Sequence, residues 1–184
     1  MLKKILIGLV GLIVLLVVIG FFLPAQVHVE RSTVINATAE AIWPHIADFE
    51  KSNAWSPWAK LDPNTKWTYS GPKSGVGAKV EWTSDNADVG NGSQETLEST
   101  PHTFLKNKLD FAEEGTAEAF FKLDKSGEST NLTWGFDSDL GGNPMMRWMG
   151  LMFDSMIGPD YEAGLASLKA LVEGGGAAAP PAEA

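Results

Sequence analysis

Proton transfer near neutral pH falls most readily to histidine, and the chain has three: His28, His45 and His102. None belongs to a His-x-x-x-His or His-Glu-x-x-His pattern, so their spacing gives no metal site. His102 follows Pro101 and reads as a turn residue. His45, beside Trp43 on a predicted helix, is the one candidate general base. Arg31, Arg147 and Asp154 are the charged residues placed to reach the rim of an interior cavity. A catalyst would need two titratable groups to converge, for instance His45 or Asp154 with Arg31; the plainer reading of each is a solvated face. The glycines of Gly71–Gly77 lack both the phosphate-loop Lys-Ser/Thr ending and the dinucleotide spacing, and fit a hairpin turn. There is no cysteine, which excludes disulfides, thiolate zinc, iron–sulfur ligation and cysteine nucleophiles. No cofactor or metal is expected.

Residues suited to binding are more plentiful. Met145, Met146, Met149, Met152 and Met156 crowd into one short stretch, and 145, 149, 152 and 156 recur at helical spacing. They read equally as gap-filling core or as an adaptable lining for an apolar ligand. A third possibility is an exposed strip that meets a bilayer or a partner. Of the seven tryptophans, Trp82 and Trp134 fall on the inward phase of predicted strands, and Trp55 and Trp58 flank a Ser-Pro turn at an expected cavity mouth. Leu109 and Phe121 share the inward phase. Gln94, Thr96 and Asn107 are polar residues on that same phase, where they would orient a ligand's polar end or belong to a buried hydrogen-bond network. The predicted ligand-binding set is therefore Trp82, Gln94, Thr96, Asn107, Leu109, Phe121, Trp134, Met149, Met152 and Met156.

These residues need elements to hold them. From Ile5 to Leu23 runs a 19-residue stretch without charge or strong polarity, about 28 Å as a helix and close to the ~30 Å hydrocarbon core. Pro24 stops it, and Leu23-Pro24-Ala25 makes a poor cleavage site, which favours an uncleaved anchor over a signal peptide. Lys3 and Lys4 then predict a cytoplasmic amino terminus and a periplasmic or extracellular body. The 14 Lys and Arg against 23 Asp and Glu give −9, and two of those basic residues are Lys3 and Lys4. A body this acidic, with no basic cluster, is no nucleic-acid binder. Three Asn-x-Ser/Thr triplets (Asn36, Asn91, Asn131) are short enough to arise by chance.

Beyond the anchor, 27–35 alternates as a first strand, and Thr38 caps a helix through Ala47 that takes Pro44 early. A second short helix or turn spans 49–58. Strand-like segments follow at 66–70, 78–84, 92–99, 103–111, 116–124 and 130–139, several with one apolar face. One-faced strands with short connections predict an antiparallel sheet covered on one side. The cover is a helix from Asn143-Pro144 to Val172 with Leu165 and Leu168 in its apolar stripe, expected to kink or split at Gly158-Pro159. The expected organisation is an anchor at 1–24, one domain at 27–173 and a flexible tail at 174–184.

The run from Val34 to Asp48 (VINATAEAIWPHIAD) resembles the start of the SRPBCC superfamily of START, Bet v 1 and polyketide cyclase-like domains. So do Asn53-Ala54-Trp55-Ser56-Pro57-Trp58, Tyr69-Ser70-Gly71-Pro72, Gly75-Val76-Gly77-Ala78 and Gly158-Pro159-Asp160-Tyr161. The likeness is to the membrane-tethered bacterial branch. It implies an α+β helix-grip fold, in which a seven-stranded antiparallel sheet wraps a long C-terminal helix, with two short helices after the first strand. It also implies a cavity for lipids or other hydrophobic molecules, which only some members use for catalysis. Two functions follow as expectations: a tethered binding module for a hydrophobic small molecule or lipid, or a cyclase or dehydratase using the same cavity. A tethered protein-interaction module is a weaker third.

Overall fold

The computed structural model describes residues 2–112 and 115–174. The chain forms α1 (Leu2–Phe22), β1 (Gln26–Ile35), α2 (Ala39–Ala47), α3 (Phe49–Ser52), α4 (Pro57–Leu61), β2 (Lys66–Ser70) and β3 (Lys79–Thr83). It continues with β4 (Asn91–Thr100), β5 (Phe104–Asp110), β6 (Thr116–Ser126), β7 (Ser129–Asp139), α5 (Pro144–Gly150) and α6 (Phe153–Gly174). All neighbouring strands pair antiparallel in the order β1-β7-β6-β5-β4-β3-β2. β1 and β2, consecutive in the chain, lie at opposite edges, and α2, α3 and α4 carry the chain from one to the other. This is the helix-grip fold.

The sheet's inner face follows the alternation of the sequence. Val29 and Ile35 of β1, Leu132, Trp134 and Phe136 of β7, Phe121 and Leu123 of β6 and Leu105 of β5 are all buried. β4 breaks its register between Thr96 and Glu98, so Leu97 is an extra residue that bulges outward and is exposed. The β2–β3 connection needs glycine: Gly71 has φ +74°, and a Cβ there would stand 2.1 Å from the Gly77 carbonyl oxygen.

Three expectations about the helices change. Thr38 stands at the N-cap of α2 with extended backbone, yet its side chain makes no capping bond. Ser56-Pro57 starts a helix rather than ending one, because Pro57 fits the first position of α4; three short helices therefore precede β2. The C-terminal cover breaks at Leu151-Met152, and α6 continues through Gly158-Pro159. Gly158 has no Cβ to collide with the proline ring, which removes the usual reason for a helix to stop before proline. The tail beyond Gly174 lies outside the described residues.

α6 presents Gly158, Tyr161, Gly164, Leu165 and Leu168 to the core, with half-buried Phe153, Ile157 and Val172 extending the stripe. At position 164 glycine lets an aromatic ring come close. A Cβ on Gly164 would lie 2.7 Å from Cζ3 of Trp134.

Candidate functional site

Two groups of aromatic rings occupy the inner face, and a polar strip separates them. In the first group Trp134 stacks on Tyr161 at 3.9 Å between ring centroids and on Phe121 at 5.3 Å. Trp55 and Trp58 meet Trp134 edge-on at 5.2 and 5.8 Å. Trp55 is buried and donates its indole N–H to the His45 carbonyl at 2.8 Å, so it belongs to the core rather than to a cavity mouth. Burial also pushes the Tyr161 hydroxyl pKa well above its usual range. Phe121 and Trp134, both expected to line a cavity, lie buried in this cluster under α6 and stack on each other.

The second group is half-buried. Trp82 meets Phe111 at 6.2 Å and Trp67 at 6.3 Å. The Trp82 ring lies over Gly92, whose missing Cβ would stand 2.5 Å from Cζ2. Leu109 and Gln94, paired across β5 and β4, are half-buried beside it.

Asn107 on β5 and Thr96 on β4 sit between the groups and face each other in register. Asn107 is 0 % and Thr96 1 % exposed. Neither Asn107 Oδ1, Asn107 Nδ2 nor Thr96 Oγ1 has a hydrogen-bonding partner among the described residues. Along the same row the inward neighbours are small: Ala119 pairs with Asn107, and the Ala78 carbonyl accepts the Thr96 N–H at 2.9 Å. A buried amide and hydroxyl without partners cost about 1–3 kcal/mol per group, and native proteins keep few of them. The expected network of bonded polar residues is absent at these atoms.

The charged candidates lie elsewhere. Arg31, opposite Trp134 on edge strand β1, donates from Nη1 and Nη2 to Asp154 at 2.8 and 3.2 Å and from Nε to Glu162 at 2.7 Å. A Cβ on Gly158 would stand 2.1 Å from Arg31 Nη2, so this glycine lets the guanidinium lie against α6. Arg31 holds the Asp154 carboxyl below its ordinary value. The trio straps α6 to the sheet edge, with every charge paired. His45 is on α2, and burial first, then Lys51, lowers its pKa; its ring forms no hydrogen bond among the described residues. Of the three candidates, Arg31 and Asp154 therefore meet, in an ion pair at the sheet edge, and His45 bonds to neither among the described residues. Arg147 is bound to backbone carbonyls, donating to Gly141 at 2.9 and 3.0 Å and to Phe21 and Leu23 at 2.8 and 3.2 Å.

Of the three readings of the methionines, core, pocket lining and exposed strip, their exposure fits the third. Met149, Met152 and Met156 are exposed, as is Met145. Within α6, Met156 stands about 200° round the helix from Gly158 and so faces away from the stripe that meets the sheet, while Met145 and Met149 lie on α5, before the break at Leu151-Met152. Two surface depressions lie outside the inner face. One of about 220 Å³ is lined by Asp62, Asn64, Lys66 and Thr83–Asn86, and one of about 560 Å³ by residues including His28, Lys108, Glu118 and Asp137. Among the described residues no group of three or more His, Asp or Glu stands close enough to hold a metal.

The sequence pattern puts Asn107, Thr96 and Gln94 on the inner face, as the structure has them, whereas Tyr161 and Phe111 are absent from the predicted site. Tyr161 was accessible as Leu165 minus four and Leu168 minus seven, the same stripe continued one turn back.

The chain belongs to the polyketide cyclase/dehydrase and lipid transport family, whose sequence profile matches residues 26–173. Among curated proteins none matches it. Solved structures share the fold at low identity. The aromatase/cyclase Zhui from Streptomyces sp. R1128 is 18% identical, covering 83% of this chain and 97% of its own, with a TM-score of 0.57. The Aha1 dimer from Colwellia psychrerythraea is 17% identical over 80% of this chain and 96% of its own, with a TM-score of 0.58. Protein Ms6760 from Mycobacterium smegmatis is 14% identical over 81% and 92%, also at 0.58. Such likenesses extend to the fold. α1 is long and apolar enough to cross a membrane.

Proposed function

We propose that the protein is a membrane-tethered binding module for a hydrophobic small molecule or lipid with one polar end. The observation that carries this reading is the unpartnered trio of Asn107 Oδ1, Asn107 Nδ2 and Thr96 Oγ1 on an otherwise apolar face. A ligand's hydroxyl, carbonyl or carboxyl would offset their desolvation, while Leu109, Trp82 and Phe111 take its apolar body. The ligand route is from the half-buried Trp82 end, because the Trp134 end is closed by Tyr161 and Trp55. α1 stays attached as an anchor, with Lys3 and Lys4 on the cytoplasmic side and the body outside the cytoplasm.

The family's name also carries cyclase and dehydrase chemistry. Turnover needs a titratable group within about 3 Å of a reacting atom, oriented by a second. The polar strip offers an amide and a hydroxyl, His45 is on α2 rather than in the strip, and Asp154 and Glu162 are both tied to Arg31. Binding without turnover fits these residues better.

The test is native mass spectrometry of the full chain purified in mild detergent, on the parent and on Asn107→Leu, Thr96→Val and Trp82→Ala. A bound hydrophobic species that each substitution depletes, unchanged in mass on incubation, is the expected result. No bound species in the parent, or retention indifferent to Asn107 and Thr96, rejects the site. Conversion of the bound species, abolished by His45→Ala, would make it an enzyme. Protease added to spheroplasts should remove the body, and a mature chain starting at Gln26 would reject the anchor.

A further inference from the structure

The apolar strip that does not line the core has a definite place relative to α1. α5 packs directly against the carboxyl end of that helix. Gly20 is buried there because a Cβ would stand 2.7 Å from Cβ of Pro144 and 2.8 Å from the Pro144 carbonyl oxygen. Arg147 donates to the Phe21 and Leu23 carbonyls, covering acceptors that the end of α1 leaves without helical partners. Trp148 donates its indole N–H to the Leu16 carbonyl at 3.0 Å. Leu16 lies seven residues before Leu23, about 10 Å down the helix axis. The Ala25 carbonyl also accepts the Leu140 N–H at 2.7 Å, so the chain leaving α1 is tied to the end of β7.

Next to this joint Met145, Met149, Leu151, Met152 and Met156 are all exposed, Met152 by 56 %. From Pro144 to Ile157 only Arg147 and Asp154 carry charge, and both are already paired, Arg147 with backbone carbonyls and Asp154 with Arg31. Covering the strip therefore leaves neither ion without a hydrogen-bonding partner.

We infer that the α5–α6 corner is a membrane-contact surface: Met149, Met152 and Met156 lie in the leaflet from which α1 emerges, with the Trp148 indole at the depth of Leu16, about 10 Å inside the end of the span. This rests on the reading of α1 as a membrane span. If residues 5–23 occupy hydrocarbon, a side chain bonded to the Leu16 carbonyl cannot stand clear of the bilayer, and the strip beside it follows. The Leu16 carbonyl accepts the one polar hydrogen of the indole, so the ring meets lipid with no unpaired donor, and thioethers adapt to irregular acyl packing. The acidic body supplies no basic patch for anionic headgroups, so the contact is apolar and neutral lipid suffices. The body is thereby held down on the membrane at a fixed tilt instead of swinging on a tether.

Because the chain has no cysteine, one spin label can be placed at a time on the full chain in phosphatidylcholine nanodiscs. Met149→Cys, Met152→Cys and Met156→Cys are compared with Ile13→Cys in the span and Val76→Cys on the exposed β2–β3 turn. At the three methionine sites collisions with oxygen should exceed those with a water-soluble nickel chelate several-fold, as at residue 13, while residue 76 shows the reverse. Water exposure at 152 and 156 with residue 13 in lipid overturns this inference and leaves the anchor standing. Shielding from both relaxers means that a second copy or other protein covers the strip, which also overturns it. Water exposure at residue 13 removes the anchor, and the inference with it.

Discussion

Thr96 and Asn107 occupy positions where an apolar residue of the same shape would make a more stable protein. Thr and Val are nearly isosteric, so Thr96→Val removes an unpartnered buried hydroxyl without opening a cavity. Unfolding free energy of the unliganded full chain should rise by about 1 kcal/mol, a shift of roughly 2–4 °C in Tm for a chain of this size. A fall in Tm of similar size would mean that the hydroxyl is satisfied within the protein, leaving the site without its polar anchor. The histidines act on stability in opposite senses. His45 is harder to protonate folded than unfolded, because burial and Lys51 disfavour its charge, so its contribution is whole above its ordinary 6.5 and drains as pH falls below it. His28, whose pKa is raised chiefly by its hydrogen bond to Asp137, contributes fully below 6.5 and loses that contribution as pH rises through its folded value. Urea midpoints between about pH 5 and 8 should therefore show a shallower acid-side decline in His45→Asn and a steeper one in His28→Asn. Equal slopes in all three proteins would deny the burial of His45 any energetic weight.

α6 shows how two opposed effects are decided at the level of an element. Alanine is a better helix former than glycine by about 1 kcal/mol. At Gly164, however, the added Cβ would stand 2.7 Å from a Trp134 ring held by Tyr161, Phe121, Trp55 and Trp58. An overpacked core costs typically 1–3 kcal/mol, so Gly164→Ala should lower stability despite its propensity. A higher Tm for Gly164→Ala would mean that the aromatic cluster gives way easily. The strands were legible in the sequence to within a residue or two, because alternation with period two directly reports a sheet with one buried face. The helical cover was legible in extent but not in orientation. The methionine spacing and the Leu165–Leu168 spacing are both helical, and spacing alone does not say which stripe meets the sheet. The deciding signal was glycine at 158 and 164, since residues without Cβ mark where a guanidinium and an indole come close. The polar strip was readable as inward-facing, whereas its lack of partners depends on contacts between strands distant in the chain.

At the scale of the whole molecule, the joint between α1 and the body is the feature by which the proposed anchor would orient the domain as well as tether it. A simple leash would leave the acidic body free to tumble above the bilayer. Here Gly20 under Pro144, the Arg147 bonds to Phe21 and Leu23 and the Trp148 bond to Leu16 join two bodies that the sequence separates by more than a hundred residues. Leucine at position 20 would keep α1 apolar and improve its helix propensity, but its side chain cannot share the space of Pro144. Gly20→Leu should therefore insert as the parent does and melt within about 0.5 kcal/mol of it, because the body's own core is untouched. The relation between the two parts should change. Spin-pair distances between labels at Ile13→Cys and Leu97→Cys, narrow in the parent, should broaden in the Gly20→Leu background. An equally narrow distribution would show that the remaining Arg147 and Trp148 bonds hold the joint without close packing. A distribution broad already in the parent would remove the fixed tilt altogether, while leaving the Asn107–Thr96 site to be judged by its own binding test.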